Sequence, residues 1–156
     1  EKNKLDDTVI VLVPDHVPYG LTIDEMNEIS TFKRDNEFEK YRSALTIYNK
    51  DINKYKNNDN YCSNIDILPT LLNLFGVEYD SRLMMGRDIL SNSDGMIVFG
   101  NRNIVTKDYK YSNMNEYIDG NISLDEIKKI KNDVYMKYRI SRLMLENDYY
   151  RYLFKD

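Results

Sequence analysis

The sequence predicts an α/β fold, because a buried strand, a helix with marked ends and a set of short strands follow one another along its 156 residues. Near the start, the run from Thr8 to Val13 is β-branched and apolar without polar alternation, which is typical of a strand covered on both faces, as in a parallel sheet. In residues 66–76 the apolar residues recur at helical spacing, which predicts a helix. Short apolar runs between residues 96 and 111 predict an antiparallel meander. Hydrophobic residues make up 42% of the chain, which is enough for a core.

Composition excludes several classes of protein. The chain has 22 basic and 26 acidic residues, a net charge of −4 and no block of like charge, so no nucleic-acid partner is predicted. The single cysteine, Cys62, excludes an internal disulfide and a site with several thiolate ligands, and we interpret it as a small buried hydrophobic residue. The longest apolar run is far shorter than the roughly 20 residues of a membrane helix, and no signal peptide is visible, so the chain itself is expected to be soluble.

Asp15 and His16, the only histidine, directly follow the first predicted strand. That strand stops at Pro14, which has no N–H to donate to a neighbouring strand. Neighbouring side chains on a strand point to opposite faces, so Asp15 and His16 converge only where the backbone leaves the sheet. A carboxylate and an imidazole there would suit a divalent metal. The alternative is a purely structural pair at a strand end.

Local signals define the next segments of the chain. Thr22 and Glu25 form a capping box that opens a short helix. The charged segment from Lys33 to Lys40 is interpreted as a solvated loop, with a substrate contact from Lys33 or Arg34 as the alternative. Residues 43–49 predict a second strand, and the Lys-, Asn- and Asp-rich stretch 50–60 predicts a loop.

The stretch from Tyr61 to Gly76 predicts a helix with both ends marked. Asp66 as the N-cap would put Pro69 in the first turn, where its missing N–H has no partner to lose, and Gly76 supplies the stop. Apolar residues leave this helix little polar face, so it is expected to be heavily buried. Asp66 is therefore interpreted as a helix cap rather than as a catalytic acid.

The last third of the chain predicts the meander and a long helix. Ser123 and Glu126 form a second capping box. The apolar positions that then recur at helical spacing are Ile127, Ile130, Val134 and Tyr138. Near Ile140 the apolar residues no longer continue this helical spacing, which predicts a break or bend in the helix between Arg139 and Arg142. The aromatic tail from Tyr149 to Phe154 is expected to pack onto the domain, with a membrane-surface role as the alternative.

Three motifs together resemble the C-terminal part of the sulfatase family. They are the Asp-His pair that closes an apolar strand, the stretch Ser63-Asn64-Ile65-Asp66-Ile67-Leu68-Pro69-Thr70-Leu71-Leu72 with Gly76 behind it, and Gly86-Arg87-Asp88-Ile89-Leu90. Within the family, the chain is most similar to the membrane-anchored bacterial branch that includes the lipoteichoic acid synthases, part of the alkaline phosphatase superfamily. The resemblance spans roughly Asp7 to Tyr111.

The resemblance implies the C-terminal portion of an alkaline phosphatase/sulfatase-like α/β/α sandwich, with a small antiparallel meander and a C-terminal helix. Residues 1–111 would be the C-terminal part of the catalytic domain, and residues 112–156 a helical extension. Because the polar lead Glu1 to Asp7 runs straight into a strand of central type, the chain is expected to begin inside a larger domain.

The resemblance also implies a function for the parent protein. In that family the Asp-His pair ligates the catalytic metal, so Asp15 and His16 would hold magnesium, manganese or calcium. The parent is expected to act on sulfate or phosphate esters through a covalent enzyme intermediate, as a sulfuric ester hydrolase or a phosphoglycerol transferase. Its expected location is the cell membrane, with an extracellular catalytic domain.

The family's nucleophile, a threonine or a formylglycine, has no match in this chain. Cys62 lacks the Pro and Arg of the formylglycine signature, so no catalytic residue is predicted here, and the nucleophile is expected upstream. Pro14 is a second departure, because a small residue is more usual before the Asp-His pair.

The chain alone is therefore expected to be inactive, with a metal site that is weak or empty. Its expected partners are the missing N-terminal part of the catalytic domain and, through the surfaces which that part would cover, a second copy of the chain. The alternative is a non-catalytic interaction or structural domain, in which Asp15 and His16 are a structural pair.

Overall fold

Two compact units make up the chain, Glu1–Asn57 and Asn58–Asp156. The structure, a computed structural model, describes residues 4–36, 38–52 and 57–153. The α/β class, the antiparallel meander and the long C-terminal helix are confirmed. The placement of these elements in an α/β/α sandwich and the division at residues 111 and 112 stay predictions.

The first unit contains a two-stranded antiparallel sheet and one short helix. Its elements are a 3-10 turn at Lys4–Asp7, β1 at Val9–Leu12, α1 at Ile23–Glu28, a 3-10 turn at Glu39–Tyr41 and β2 at Thr46–Asn49. β1 pairs with β2 so that Val9 lies opposite Asn49 and Leu12 opposite Thr46. Both predicted strands are therefore present, and they pair with each other.

The predicted burial of the first strand on both faces is wrong. Leu12 is 62% exposed and Ile10 is 37% exposed, and exposed and half-buried residues alternate along β1. β1 has one strand neighbour among the described residues, and that neighbour is antiparallel. Complete burial of an apolar strand requires a strand on each side and a layer on each face, which this unit does not supply to β1.

The capping box of α1 is confirmed. The backbone N–H of Thr22 donates to Glu25 Oε2 at 2.8 Å, and the backbone N–H of Glu25 donates to Thr22 Oγ1 at 3.3 Å. These hydrogen bonds from Thr22 lower the pKa of the Glu25 carboxyl. Met26, on the following turn, is buried and anchors the helix.

The loop after α1 is not solvated throughout, because Arg34 is buried. Its guanidinium lies 4.3 Å from the ring centroid of Phe32 and donates to the carbonyl oxygen of Arg42 at 3.1 Å. Its backbone N–H donates to Asn27 Oδ1 at 2.7 Å. The interpretation of this segment as a solvated loop is therefore wrong at Arg34, which ties the loop to α1.

The second unit contains a four-stranded meander and two longer helices. Its elements are a 3-10 turn at Asn64–Asp66, α2 at Ile67–Leu74, a 3-10 turn at Ser81–Leu83, β3 at Met96–Val98, β4 at Ile104–Thr106, β5 at Tyr109–Ser112, β6 at Tyr117–Gly120, α3 at Leu124–Glu146 and α4 at Tyr149–Leu153. The strand order is β3-β4-β5-β6, with every pair antiparallel. The first three strands confirm the predicted meander, and β6 was not predicted.

The core of this unit lies between the meander and α3. Ile104 and Tyr111 from the sheet pack against Ile127 and Val134 from the helix, and all four are at most 4% exposed. Ile130 and Tyr138 pack against the same cluster, so the predicted helical stripe is confirmed. Ser123 Oγ accepts the N–H of Glu126 at 3.2 Å, which confirms the second capping box.

Two predictions about the helices are wrong in part. The predicted break between Arg139 and Arg142 is absent, because α3 runs continuously from Leu124 to Glu146; a bend there stays a prediction. α2 is only partly buried: Pro69 and Thr70 are buried, whereas Leu68 is 54% exposed. Gly76, with a φ of 65°, ends α2 as predicted. Among the described residues, no helix combines the length and the apolar character that a membrane span requires.

The aromatic tail forms α4 and exposes most of its side chains. Tyr150, Tyr152 and Leu153 are 43%, 76% and 48% exposed, so the expectation that the tail packs onto the domain is wrong for these three residues. Phe154 lies outside the described residues.

Candidate metal centre

The structure places Asp15 and His16 together, just beyond the end of β1. Their side chains are 89% and 50% exposed, respectively. The strand ends at Leu12, and the backbone bends at Asp15 and His16, which lets two consecutive side chains meet. The convergence expected at a strand end is therefore present.

The two side chains are held by short local contacts. Asp15 Oδ1 accepts the backbone N–H of His16 at 2.9 Å, and Asp15 Oδ2 lies 3.7 Å from His16 Nε2. The Tyr19 ring stacks on the imidazole, with 4.8 Å between centroids and 18° between planes. One carboxylate oxygen is thus engaged in orienting the pair, and the other faces the ring nitrogen.

The tautomer of His16 follows from its backbone contact. Nδ1 lies 2.7 Å from the carbonyl oxygen of Val17, and a carbonyl oxygen only accepts hydrogen bonds, so Nδ1 is the protonated nitrogen. In the neutral ring, Nε2 then keeps its lone pair. Metal-binding histidines commonly donate their second ring N–H to a carbonyl oxygen in this way.

The carboxylate of Asp15 and Nε2 of His16 are suitable ligands for a divalent cation, and the distance between them is close to the one that such an ion requires. A carboxylate oxygen and a neutral imidazole nitrogen suit magnesium, manganese or zinc. The 3.7 Å between the two donor atoms is slightly longer than the roughly 3 Å between adjacent ligands of an octahedral magnesium ion. In the part of the chain that the structure describes, no group of three or more His, Cys, Asp and Glu side chains is arranged to hold a metal. The assignment of Asp15 and His16 as ligands stays a prediction.

Asp66, in the second unit, is a buried connection between two segments. It is 2% exposed, and its carboxylate accepts the backbone N–H of Ser63 at 2.8 Å and the backbone N–H of Arg87 at 2.9 Å. Asp66 occupies the N-cap position of α2, as predicted, and Pro69 lies in the first turn, but the Asp66 side chain makes no capping hydrogen bond to that helix. A 3-10 turn precedes the helix, and Asp66 occupies the third position of that turn, facing Ser63.

Thr70, one turn further on, makes the second connection. It is fully buried, donates to the carbonyl oxygen of Asp66 at 2.6 Å and accepts the backbone N–H of Ile89 at 3.0 Å. Gly86 completes the contact, because a Cβ at this position would lie 2.0 Å from the carbonyl oxygen of Ile65. We call Asp66, Thr70, Gly86 and the backbone of residues 86–89 the motif clasp.

The side chains of the Gly-Arg-Asp segment extend the clasp. The Arg87 guanidinium donates to the carbonyl oxygens of Asp94 and Met96, which connects the clasp to the start of β3. Asp88 Oδ2 accepts from Asn73 Nδ2 at 3.0 Å. Through these contacts, the segment around Asp66 and the Gly86-Arg87-Asp88 segment form a structural connection.

Cys62 lies next to the clasp and is half-buried. Burial raises the pKa of its thiol, and the nearby Asp66 charge raises it further. A thiol with a raised pKa is a poor nucleophile, which agrees with the absence of a formylglycine signature.

Several residues of these sites were not found by sequence reasoning. The contributions of Val17 and Tyr19 to the orientation of His16 depend on the path of the turn. Gly86 and Thr70 belong to the sequence motifs, but nothing in the sequence indicated that they contact another segment. Backbone contacts between segments some 20 positions apart leave no periodic pattern in a sequence.

Sequence comparison supports the resemblance. Over 101 residues the chain is 33% identical to the lipoteichoic acid synthases of Staphylococcus aureus strains USA300, NCTC 8325 / PS 47 and COL. This alignment covers 61% of the chain and 16% of the synthase, so the chain spans less than a fifth of the length of these curated relatives. No protein-family profile matches the chain. The predicted similarity to the lipoteichoic acid synthase branch of the sulfatase and alkaline phosphatase superfamily is confirmed over that part of the sequence.

Proposed function

We propose that this chain supplies part of the metal site of an enzyme that acts on phosphate or sulfate esters, with phosphoglycerol transfer as the reaction class. The observation that carries the proposal is the Asp15–His16 pair, in which Nε2 keeps a lone pair beside a carboxylate oxygen 3.7 Å away. The partial similarity to lipoteichoic acid synthase supports the class of reaction. The proposed location of the whole enzyme is the cell membrane, with the catalytic domain outside.

In this proposal, Asp15 and His16 would hold the cation. A divalent cation bound there would lower the pKa of a hydroxyl nucleophile and neutralise charge on the ester. The Val17 carbonyl keeps the proton on Nδ1, and the Tyr19 ring restricts rotation of the imidazole, so Nε2 is presented in one orientation. These contacts reduce the conformational freedom that ligand binding would otherwise remove.

The nucleophile, the remaining ligands and the covalent ester intermediate are assigned to another part of the proposed enzyme. That part would also cover β1, whose Ile10 and Leu12 side chains are exposed. The chain by itself is proposed to be inactive, because two ligands without a nucleophile do not form a complete site.

Manganese titration of the 156-residue chain tests the half-site. We expect a dissociation constant of about 1 mM, because two protein ligands leave most of the coordination sphere to water. In NMR spectra, paramagnetic broadening should centre on residues 15–19, and both Asp15→Ala and His16→Ala should abolish it. Asp24→Ala, which removes an exposed carboxylate of the same unit, is the matched control and should leave the broadening unchanged. Micromolar binding by a monomer, or broadening that survives both substitutions, would contradict the proposal.

Turnover is tested in the longest natural polypeptide that contains this sequence. His16→Ala should lower the release of product from a phosphoglycerol lipid by at least about 10³-fold, whereas Asp24→Ala should not change it. A chromogenic sulfate ester, assayed in parallel, distinguishes ester hydrolysis from phosphoglycerol transfer. An active His16→Ala variant would end the assignment.

The second candidate is a non-catalytic domain in which Asp15 and His16 are a structural pair. The observation that favours it is that the two residues already satisfy each other: the Asp15 carboxylate accepts the backbone N–H of His16 and faces the His16 ring. Under this reading, His16→Ala destabilises the first unit and manganese has no effect on its spectrum.

A further inference from the structure

The phase change in the long helix produces a second apolar face. α3 is unbroken, so its apolar residues can be assigned to faces of one continuous run of turns. Ile127 and Val134 lie on the face that packs against the meander. Met136, Ile140 and Leu143 are spaced by four and three residues, and at about 100° per residue they lie roughly 180–240° around the helix from Val134. We call these three residues the outer stripe.

The outer stripe is open to solvent along the second half of α3. Met136, Ile140 and Leu143 are 40%, 41% and 41% exposed. The short helix α4 follows directly and adds Tyr150, Tyr152 and Leu153, all exposed. A helix that packs on one side only has no need of apolar residues on the other, so a second contact surface is indicated.

The charges around this surface are mainly positive. Between residues 129 and 153 the chain has six basic residues and three acidic ones, although its total net charge is −4. Lys129 and Arg139 lie on the face of the outer stripe, and neither forms an ion pair with a described residue. Glu146 pairs with Arg142 at 3.2 Å, Asp148 with Arg151 at 3.6 Å and Glu116 with Lys131 at 3.9 Å, so each pair cancels one basic and one acidic charge. Asp133 remains at the border of the stripe.

We propose that the outer stripe and α4 dock onto the surface of an anionic lipid bilayer. Met, Ile and Leu side chains would enter the boundary between headgroups and acyl chains, and the arginine and lysine stems would reach back to the lipid phosphates. Tyrosine side chains prefer this boundary, because the ring is apolar and the hydroxyl remains hydrated. Each basic residue near an anionic surface adds electrostatic attraction to the lipid headgroups.

Charge also argues against a second copy of the chain as the occupant. A two-fold contact centred on Ile140 would place Arg139 of one copy near Arg139 of the other. Like charges across an interface oppose association, whereas lipid phosphates complement them. The proposal is independent of the metal site, since it uses only residues of α3 and α4.

Vesicle flotation with the 156-residue chain tests the proposal. We expect binding to vesicles that contain phosphatidylglycerol and at least roughly tenfold weaker binding to vesicles of phosphatidylcholine alone, with a decrease as salt rises. Replacing the outer stripe by M136S, I140S and L143S should weaken binding by at least about tenfold, because three apolar side chains no longer leave water. The double variant K129Q/R139Q should weaken binding to the anionic vesicles only.

Phe75→Ser is the matched control, because Phe75 is a 58% exposed apolar residue on the other long apolar segment of the unit. It should leave vesicle binding unchanged. Circular dichroism of every variant verifies that α3 is intact. Equal binding of the triple variant and the parent chain would overturn the proposal. So would the absence of vesicle binding together with a dimer, seen by light scattering, that the triple variant abolishes.

Discussion

Gly86→Ala should break the motif clasp. The new Cβ would lie 2.0 Å from the carbonyl oxygen and 2.4 Å from the carbonyl carbon of Ile65, both backbone atoms, whereas ordinary contacts begin at 3.4 Å. The two segments must therefore separate by about 1.4 Å, the difference between these distances. The hydrogen bond from the Arg87 N–H to Asp66, 2.9 Å long, cannot survive such a shift.

The cost can be worked from these contacts. Forcing an extra carbon into a packed site costs about 1–3 kcal/mol. Loss of a hydrogen bond to a buried carboxylate costs about 1.5–3 kcal/mol, and relaxation of the loop recovers part of the sum. We expect the free energy of unfolding of the second unit to fall by about 2–5 kcal/mol.

Guanidinium unfolding followed by far-ultraviolet circular dichroism measures this change, because α3 contributes most of the helical signal. Gly100→Ala is the matched control: it makes the same chemical change in the same unit, and its Cβ would meet no atom within 4 Å. Its effect should stay within about 0.5 kcal/mol. Equal stabilities for the two variants would refute the account of the clasp. Hydrogen exchange in α2 locates the change, since only Gly86→Ala should speed exchange there.

Two further predictions concern the meander and α3. Hydrogen bonds from the Ser123 side chain and backbone lower the pKa of Glu126 below its ordinary value of 4.5. The folded-state pKa is below the unfolded one, so the capping box stabilises α3 above pH 4.5 and this contribution is lost as the pH falls through the lowered value. Glu126→Gln should remove that pH dependence from amide exchange in the first turn of α3; an unchanged profile would exclude the mechanism. Arg102 has a φ of 69° in the β3–β4 turn, and its guanidinium stacks on Tyr138. Both Arg102→Ala and Arg102→Gly lose the stacking, but only glycine adopts this φ without strain, so the alanine variant should be less stable by about 1 kcal/mol in urea unfolding. Equal stabilities would mean that the turn changes conformation.

Features controlled by residues close in the sequence could be predicted. The capping boxes at Thr22 and Ser123 and the stop at Gly76 each depend on contacts within a few positions. The first three strands of the meander were predicted for the same reason, since tight turns join neighbouring strands. Local chemistry decides such features before any tertiary contact forms.

Features controlled by distant neighbours could not be predicted. The apolar run at β1 indicates burial, but burial depends on which elements cover it, and in the described part of the chain its strand partner is the antiparallel β2. Asp66 satisfies a backbone N–H 21 positions away, which no capping rule anticipates. The phase change near Ile140 has two physical solutions, an interruption of the helix or a second apolar face, and the continuous α3 adopts the second. In the candidate metal site, the proximity of Asp15 and His16 was predictable, and the tautomer of the imidazole was not.

The small core of the first unit affects how its candidate ligands would bind. Among the described residues of this unit, Val17 and Met26 are the buried hydrophobic side chains, and the sheet has two strands. Two-stranded sheets with so little cover open readily, and the orientation of His16 depends on the carbonyl of Val17. An apparent affinity is the intrinsic affinity multiplied by the fraction of molecules in which the site is ordered, so a unit ordered one tenth of the time binds about tenfold more weakly. Any contact that stabilises β1 would therefore raise the apparent affinity for the cation, even if it does not involve Asp15 or His16. By linkage, the cation would slow amide exchange in β1.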